Sequence, residues 1–256
     1  MTVLANETSG GHSDRARVEQ VRSVFDRREN YLDKRQLDIR LRTETAARLV
    51  EGKEYCNILD IGCGDGSISV PLLNARSRLT LLDISDAMLS RARSRVPTDL
   101  ISRATFVNQD FMEVPFEERA FDLLICVGVL AHVASPSKVI AKLASLLTPG
   151  GTLILECTDG FHFMGRISRV RNRLAWIFRP PKYKLNVLSA GEILAMAQRE
   201  GLRLTKEFRY ALPLPGLSHL LSSTGSYRLA RSLFGDVQHN HNRWMGNQFI
   251  FSFVRP

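Results

Sequence analysis

Apolar positions along this chain fall into two alternating patterns. Short runs with little polar interruption, Asn57–Ile61, Leu79–Ile84, Ala104–Asn108, Phe121–Val127 and Thr152–Cys157, have the length and branching of strands. A strand apolar on both faces is one covered by helices on both sides, as in a parallel sheet. Between these runs, Ser67–Asn74, Met88–Arg95 and Ser137–Leu147 read as helices, the last stopped by Thr148-Pro149-Gly150-Gly151. Pro71 confines the first of them to a start within its first turn. Strand and helix in alternation predict an α/β fold.

The flanks carry other patterns. Met1–Ser13 is polar and reads as a disordered N-terminus, and residues 14–256 read as a single domain. Val18, Val21, Val24 and Phe25 recur at spacings of three and four, which predicts an amphipathic N-terminal helix; a second helix near Leu41–Glu51 is ended by Gly52. Residues 14–52 thus form a helical lid ahead of a core at 53–157. From Gly160 to Leu188 there is no acid, while Arg166, Arg169 and Arg173 edge a stripe of Met164, Ile167, Val170, Leu174 and Ile177. This is a basic amphipathic helix, Gly160–Arg179, ended by Pro180-Pro181, within an insertion at 158–188. The part from 189 to 256 begins with a helix at Ser189–Glu200, stopped by Gly201, and a sixth strand at Leu202–Tyr210. A long connection at 211–246 follows, with Pro213-Leu214-Pro215-Gly216 and a short helix around His219–Phe234. Asn247–Val254, alternating Phe249, Phe251 and Phe253, is the final strand.

The chemistry is concentrated in Asp60-Ile61-Gly62-Cys63-Gly64-Asp65-Gly66, where a buried strand ends in glycine at every second position. That spacing lets the backbone come very close to a ligand. A dinucleotide fingerprint would read G-x-G-x-x-G and face a pyrophosphate with a helix N-terminus. Here the pattern is D-x-G-x-G-x-G, and the Asp60 carboxylate repels a diphosphate and attracts a cation. The loop asks for a nucleoside ligand with a positive group and no phosphate.

This loop resembles the first motif of the class I S-adenosylmethionine-dependent methyltransferases, and Leu-x-Pro-Gly-Gly before an apolar strand, at Leu147–Gly151, is a further likeness. The resemblance implies a Rossmann-like sheet of seven strands, mostly parallel with the last antiparallel, helices on both faces, and insertions after the fifth and sixth strands. It implies S-adenosyl-L-methionine as cofactor, with contacts at Asp60, Gly62, Cys63, Gly64, Gly66, Asp83, Ile84, Asp110, Phe111 and Val127. Asp60 would help hold the ammonium group and Asp83 the ribose hydroxyls. Asp110 is either an acceptor for the adenine amino group or a turn cap. Phe25–Asp33 resembles the segment in which an aromatic closes over the cofactor, so Tyr31 is either a lid residue or a tyrosine packed on the surface.

Composition narrows the setting. A chain of 256 residues with 44% apolar content suffices for one large α/β domain. Four cysteines, at 56, 63, 126 and 157, lie in or beside strands and show no metal-ligand spacing, which predicts reduced thiols and no metal. With no signal-peptide core and no run of about 18 apolar residues, the expectation is a cytoplasmic protein without a membrane span. The net charge of +9 points to an anionic partner: a phosphorylated small molecule, a membrane surface or a nucleic acid.

Methyl transfer requires alignment and, for a protonated acceptor, removal of a proton. His132, beyond the fourth strand, is the first base candidate, against a reading as a hydrogen-bonding or packing histidine; His162, past the fifth strand, is the second. His239 and His241 have no carboxylate or cysteine to complete a metal site. Amino methylation of adenine in nucleic acids goes with Asn/Asp-Pro-Pro-Tyr/Phe after the fourth strand, where this chain has Val127-Gly128-Val129-Leu130. Methylation at cytosine C5 needs a cysteine beside proline in a loop, and neither Cys126 nor Cys157 is so placed. A small-molecule acceptor is therefore favoured, anionic or lipid-linked if the basic helix meets it or a membrane surface, and a solvated pocket cover if not. RNA methylation on the basic face, or a silent cofactor-binding protein, are the alternatives.

Overall fold

Consecutive strand residues point to opposite faces of a sheet, so apolar runs without alternation need cover on both sides. The computed structural model, which describes residues 7–26, 36–178, 183, 185–211 and 223–256, supplies that cover. The strands are β1 (Asn57–Ile61), β2 (Arg78–Leu82), β3 (Ala104–Val107), β4 (Phe121–Cys126), β5 (Leu147–Thr158), β6 (Arg203–Tyr210) and β7 (Gln248–Val254). They form one seven-stranded sheet in the order β3-β2-β1-β4-β5-β7-β6. β1 to β5 pair in parallel, with Leu59 opposite both Thr80 and Leu124. β7 runs antiparallel to β5 and to β6, as expected for the last strand. Leu59, Leu124, Leu153 and the alternating Phe249, Phe251 and Phe253 pack into one core; Ile58, Leu123, Ile125, Ile154 and Ile250 pack into the other.

The helices are α1 (Glu7–Asp26), α2 (Gln36–Val50), α3 (Asp86–Arg95), α4 (Pro136–Leu146), α5 (Phe163–Phe178), α6 (Ala190–Arg199) and α7 (Ser223–Phe234). Two have side-chain caps that the sequence predisposes: Ser85 accepts from the Met88 N–H ahead of α3, and Ser189 forms a reciprocal capping box with Glu192 ahead of α6. No described helix is long and apolar enough to cross a membrane.

Several elements depart from the sequence reading. α1 begins at Glu7, inside the stretch expected to lack structure, and α2 begins at Gln36 rather than Leu41. Ser67–Asn74 is not a helix but a chain of turns with a single 3-10 turn at Val70–Leu72. Pro71 offers no N–H there, and a competing local turn takes over: the Asn74 N–H donates to Ser77 Oγ at 2.9 Å and the Arg76 N–H to Asn74 Oδ1 at 2.8 Å. β5 starts at Leu147, directly after α4, and 148–151 bulge out as the register jumps from Phe121↔Leu147 to Leu123↔Thr152. Tyr31, Arg179, Pro180-Pro181, Lys182, Lys184 and Pro213–Gly216 lie outside the described residues, as do the side chains of Leu174, Trp176, Ile177 and Phe178.

Two helices anchor across the carboxyl ends of the parallel strands. α1 is tied at both sides of that edge, by Arg17 Nε to the His132 carbonyl and Arg22 Nε to the Ile84 carbonyl, each at 2.9 Å. α2 is held by the Arg42 guanidinium on Glu156 of β5 at 2.8 Å and by the Tyr210 hydroxyl on Asp38 Oδ1 at 2.8 Å. Between α1 and the strand ends lies a cavity lined by both.

Candidate active site

β1 ends in a loop whose backbone conformation belongs to glycine. Gly62 has φ +65° and Gly64 φ +54°, in the left-handed region that side chains disfavour. A Cβ on Gly62 would stand 2.5 Å from Val129 Cγ2, so the loop is packed against the β4 end there; a Cβ on Gly64 would meet nothing within 4 Å, because that face is open to the cavity. The loop is stitched to β2 by the Cys63 N–H on the Leu82 carbonyl at 3.0 Å. Just beyond β2, Asp83 takes the Gly64 N–H on Oδ2 at 2.9 Å and the Ser85 N–H on Oδ1 at 2.8 Å. One accepted bond on each carboxylate oxygen leaves further lone pairs for a ligand.

The cavity measures about 430 Å³. Gly62, Cys63, Gly64, Asp83, Ile84, Asp110, Phe111 and Val127 line it, together with Val18, Val21 and Phe25 of α1 and His132 beyond β4. Asp60 and Gly66, expected in the same set, are not in its lining. Asp60 is buried behind the loop, and a Cβ on Gly66 would press on Val70 Cγ2 at 2.8 Å, which makes that glycine a packing requirement. Asp110 Oδ1 accepts the Met112 N–H at 2.9 Å, so it caps a turn as well as facing the cavity. His162 is not at the site: its ring nitrogen Nε2 pairs with the Trp244 carbonyl at 2.8 Å, and its ring lies 4.5 Å from Phe163.

Acids dominate the electrostatics beneath the loop. Burial, followed by the neighbouring Asp83 and Asp65 carboxylates, raises the Asp60 carboxyl to about 7, and Asp60 Oδ2 is buried without a hydrogen-bond partner. Burial also raises Asp83, against the Ser85 and Gly64 N–H groups that favour its ionised form. Asp65 is held by Arg95, whose Nε donates to the Asp65 carbonyl at 3.0 Å. An environment of this sign suits a ligand carrying positive charge and disfavours a phosphate.

Two features escaped the sequence reading. Arg42 lines the cavity beside Gly128, with its guanidinium also 3.3 Å from Asp38. Burial opposes its charge, and the Glu156, Tyr210 and Asp38 side chains more than offset it. The signal was Glu156, an acid within the buried run of β5 that requires a cationic partner, but nothing in the sequence says which of many arginines answers it. The second is Lys142 of α4, whose Nζ donates to the carbonyls of Phe111, Met112 and Val114 at 2.6, 3.2 and 2.8 Å and so holds the loop that carries Asp110 and Phe111.

The raised Asp60 carboxyl makes stability depend on pH. Below the ordinary carboxylate range both folded and unfolded chains hold the proton, and the group costs nothing. As pH rises toward about 7 the unfolded chain releases it while the fold retains it, so stability falls across that window. Asp60→Asn should therefore gain on the wild type between about pH 4 and pH 8, by on the order of 2 to 4 kcal/mol, in urea midpoints taken across the range. A difference between the two proteins that does not change with pH would contradict this assignment.

A family profile described as a methyltransferase domain matches residues 59–155. The ubiquinone biosynthesis O-methyltransferase of Coxiella burnetii is 26% identical over 159 residues, covering 58% of this chain and 64% of that protein. The demethylmenaquinone methyltransferase of Clavibacter sepedonicus is 30% identical over 141 residues, covering 55% of this chain and 56% of that one. The match thus spans less than two thirds of either relative. Among solved structures, magnesium protoporphyrin IX methyltransferase of Synechocystis PCC 6803 with bound S-adenosylmethionine superposes with a TM-score of 0.61 at 20% identity, over 94% of this chain and 97% of that one; the likeness is one of fold. Residues 59–155 are thus similar to methyltransferase domains, and the seven-stranded sheet they help to build has the fold of a solved S-adenosylmethionine-dependent methyltransferase.

Proposed function

We propose that the chain moves a methyl group from S-adenosylmethionine to a small-molecule acceptor. The observation that carries this reading is Asp83: its carboxylate receives the Gly64 amide and still faces the cavity, beside a glycine whose missing side chain leaves room for a ligand. Ribose hydroxyls would meet Asp83, the adenine ring would lie by Ile84, Asp110 and Phe111, and the methionine carboxylate would meet the Arg42 guanidinium beside Gly128. The methionine ammonium suits the loop end backed by Asp60, acting through the loop rather than at the cavity wall. The cofactor supplies an electrophilic methyl group on sulfur; the chain aligns it, keeps water out beneath α1, and presents His132 to the acceptor.

The apolar wall of Phe25, Val129 and Val133 suits an acceptor with an apolar ring, in keeping with the quinone pathways named for the relatives. Peripheral contact with an anionic membrane belongs to the same reading. On and beside α5, Phe161, Phe163, Ile167, Val170 and Trp244 are exposed, while Arg166, Arg169 and Arg173 line one groove. Exposed apolar groups beside cations are what interfacial binding uses.

The assay is incubation with methyl-labelled S-adenosylmethionine and cell extract separated into lipid, aqueous and RNA fractions. Label is expected in the lipid or aqueous small-molecule fraction; label confined to RNA would overturn the acceptor class, and no transfer despite cofactor binding would leave a silent binding protein. Asp83→Ala should weaken cofactor binding by about 2 to 3 kcal/mol, roughly 30- to 150-fold, by calorimetry. Unchanged affinity would remove Asp83 from the site. For the membrane contact, flotation with anionic and neutral liposomes is expected to favour the anionic ones. Changing Arg166, Arg169 and Arg173 together to Gln should weaken that binding roughly a hundredfold, at about 1 kcal/mol for each charge. Equal recovery from both liposome types would leave α5 as a pocket cover only.

A further inference from the structure

Tyr183 follows the basic helix in sequence, and nothing in the pattern of that stretch gives it a role. In space its hydroxyl stands 2.7 Å from Nδ1 of His132, the histidine in the cavity wall. The imidazole is held from several sides. The His132 backbone N–H donates to the Val129 carbonyl at 2.8 Å, its backbone carbonyl receives Arg17 Nε at 2.9 Å, and the Phe25 ring meets the imidazole edge-on at 5.5 Å. Asn186, three residues on from Tyr183, is pinned to the same loop. Asn186 donates from its backbone to the Ala131 carbonyl at 2.9 Å and from Nδ2 to the Leu130 and Val133 carbonyls at 2.9 and 2.7 Å. Arg17 closes the clamp on Asn186 Oδ1 at 3.2 Å. A contact fixed this firmly has consequences for the proton.

We infer that Tyr183 donates its hydroxyl proton to His132 Nδ1 and thereby fixes the Nε2–H tautomer, so that His132 serves the acceptor as a hydrogen-bond donor and not as a base. The inference rests on the methyltransferase reading. A phenol is by several orders of magnitude the stronger acid of the two possible donors, since a neutral imidazole gives up its N–H proton far less readily, and the imidazole nitrogen is the stronger base. The bond therefore runs from oxygen to nitrogen. Which ring nitrogen carries the proton is set by what the other nitrogen binds. With Nδ1 occupied as acceptor, Nε2 keeps its proton.

This points to the class of acceptor. A histidine that donates cannot take a proton from a neutral hydroxyl, but it stabilises an oxygen that arrives already ionised, such as a phenolate, enolate or carboxylate. Arg17 and Lys138, which also line the cavity, favour the same charge. The acceptor oxygen forms its bond to the methyl carbon as the carbon–sulfur bond breaks and its electron pair passes to sulfur; the anion and the sulfonium neutralise one another, and no proton moves. Tyr183 is a positioning residue for the donor, with Asn186 behind it.

Nitrogen-15 NMR of histidine-labelled full-length protein, with S-adenosylhomocysteine as probe, tests this without an acceptor in hand. His132 is expected to show Nε2 protonated and Nδ1 as an unprotonated, hydrogen-bonded nitrogen. In Tyr183→Phe the Nδ1 resonance should shift toward the value of an unbonded ring nitrogen, while S-adenosylhomocysteine affinity stays within about twofold of wild type. A wild-type His132 protonated at Nδ1, or an Nδ1 resonance indifferent to Tyr183→Phe, overturns the inference. Failure of the wild type to bind S-adenosylhomocysteine, read at the Gly64 amide and not at the imidazole, overturns the methyltransferase reading separately.

Discussion

The bond from the Gly64 amide to the Asp83 carboxylate joins the ends of two neighbouring strands, and the geometry of the cavity depends on it. Without it the loop after β1 would have to satisfy a left-handed Gly64 with its amide exposed. With it, the loop is drawn toward β2, its glycine faces turn to the cavity, and Asp83 is itself oriented by the amide it holds and by the Ser85 N–H. A single carboxylate thus shapes the loop and retains the capacity to bind. Its burial makes that arrangement costly unless its oxygens are filled, which a ligand with two adjacent hydroxyls would do.

Charges of both signs surround this contact. Acids lie under the loop, and Arg42, Arg17 and Lys138 reach the cavity from α2, α1 and α4. Arg42 is neutralised from behind by Glu156 and Asp38, whereas Arg17 spends its donors on the carbonyls of the His132 loop and on Asn186. The lid helix and the β4 loop are therefore fastened by one side chain. A displacement of α1 would loosen the histidine as well as open the cavity.

The parallel core was legible in the sequence because continuous apolar runs have few alternatives, and strand boundaries came within a residue or two from Asn57 to Val107. The backbone of the loop after β1 was legible for a similar reason: glycine at every second position after a strand fits the left-handed conformations found at Gly62, Gly64 and Gly66. Ser67–Asn74 was misjudged because side-chain turns at Asn74 and Ser77 outweigh a weak helical tendency broken by Pro71. Asp60, which the motif implies at the ammonium group, is buried and lies outside the cavity lining. Arg42, Lys142 and Tyr183 were beyond reach because each acts on a residue tens of positions away, and only tertiary packing decides such pairs.

The most direct test of the account is a crystal structure of the chain with S-adenosylhomocysteine. The account predicts the ribose hydroxyls on the Asp83 carboxylate while Gly64 keeps its bond to the same group, the adenine beside Ile84 and Phe111, and Val18, Val21 and Phe25 over the ligand. A ligand seated elsewhere, or an Asp83 turned away from both the ribose and Gly64, would contradict it.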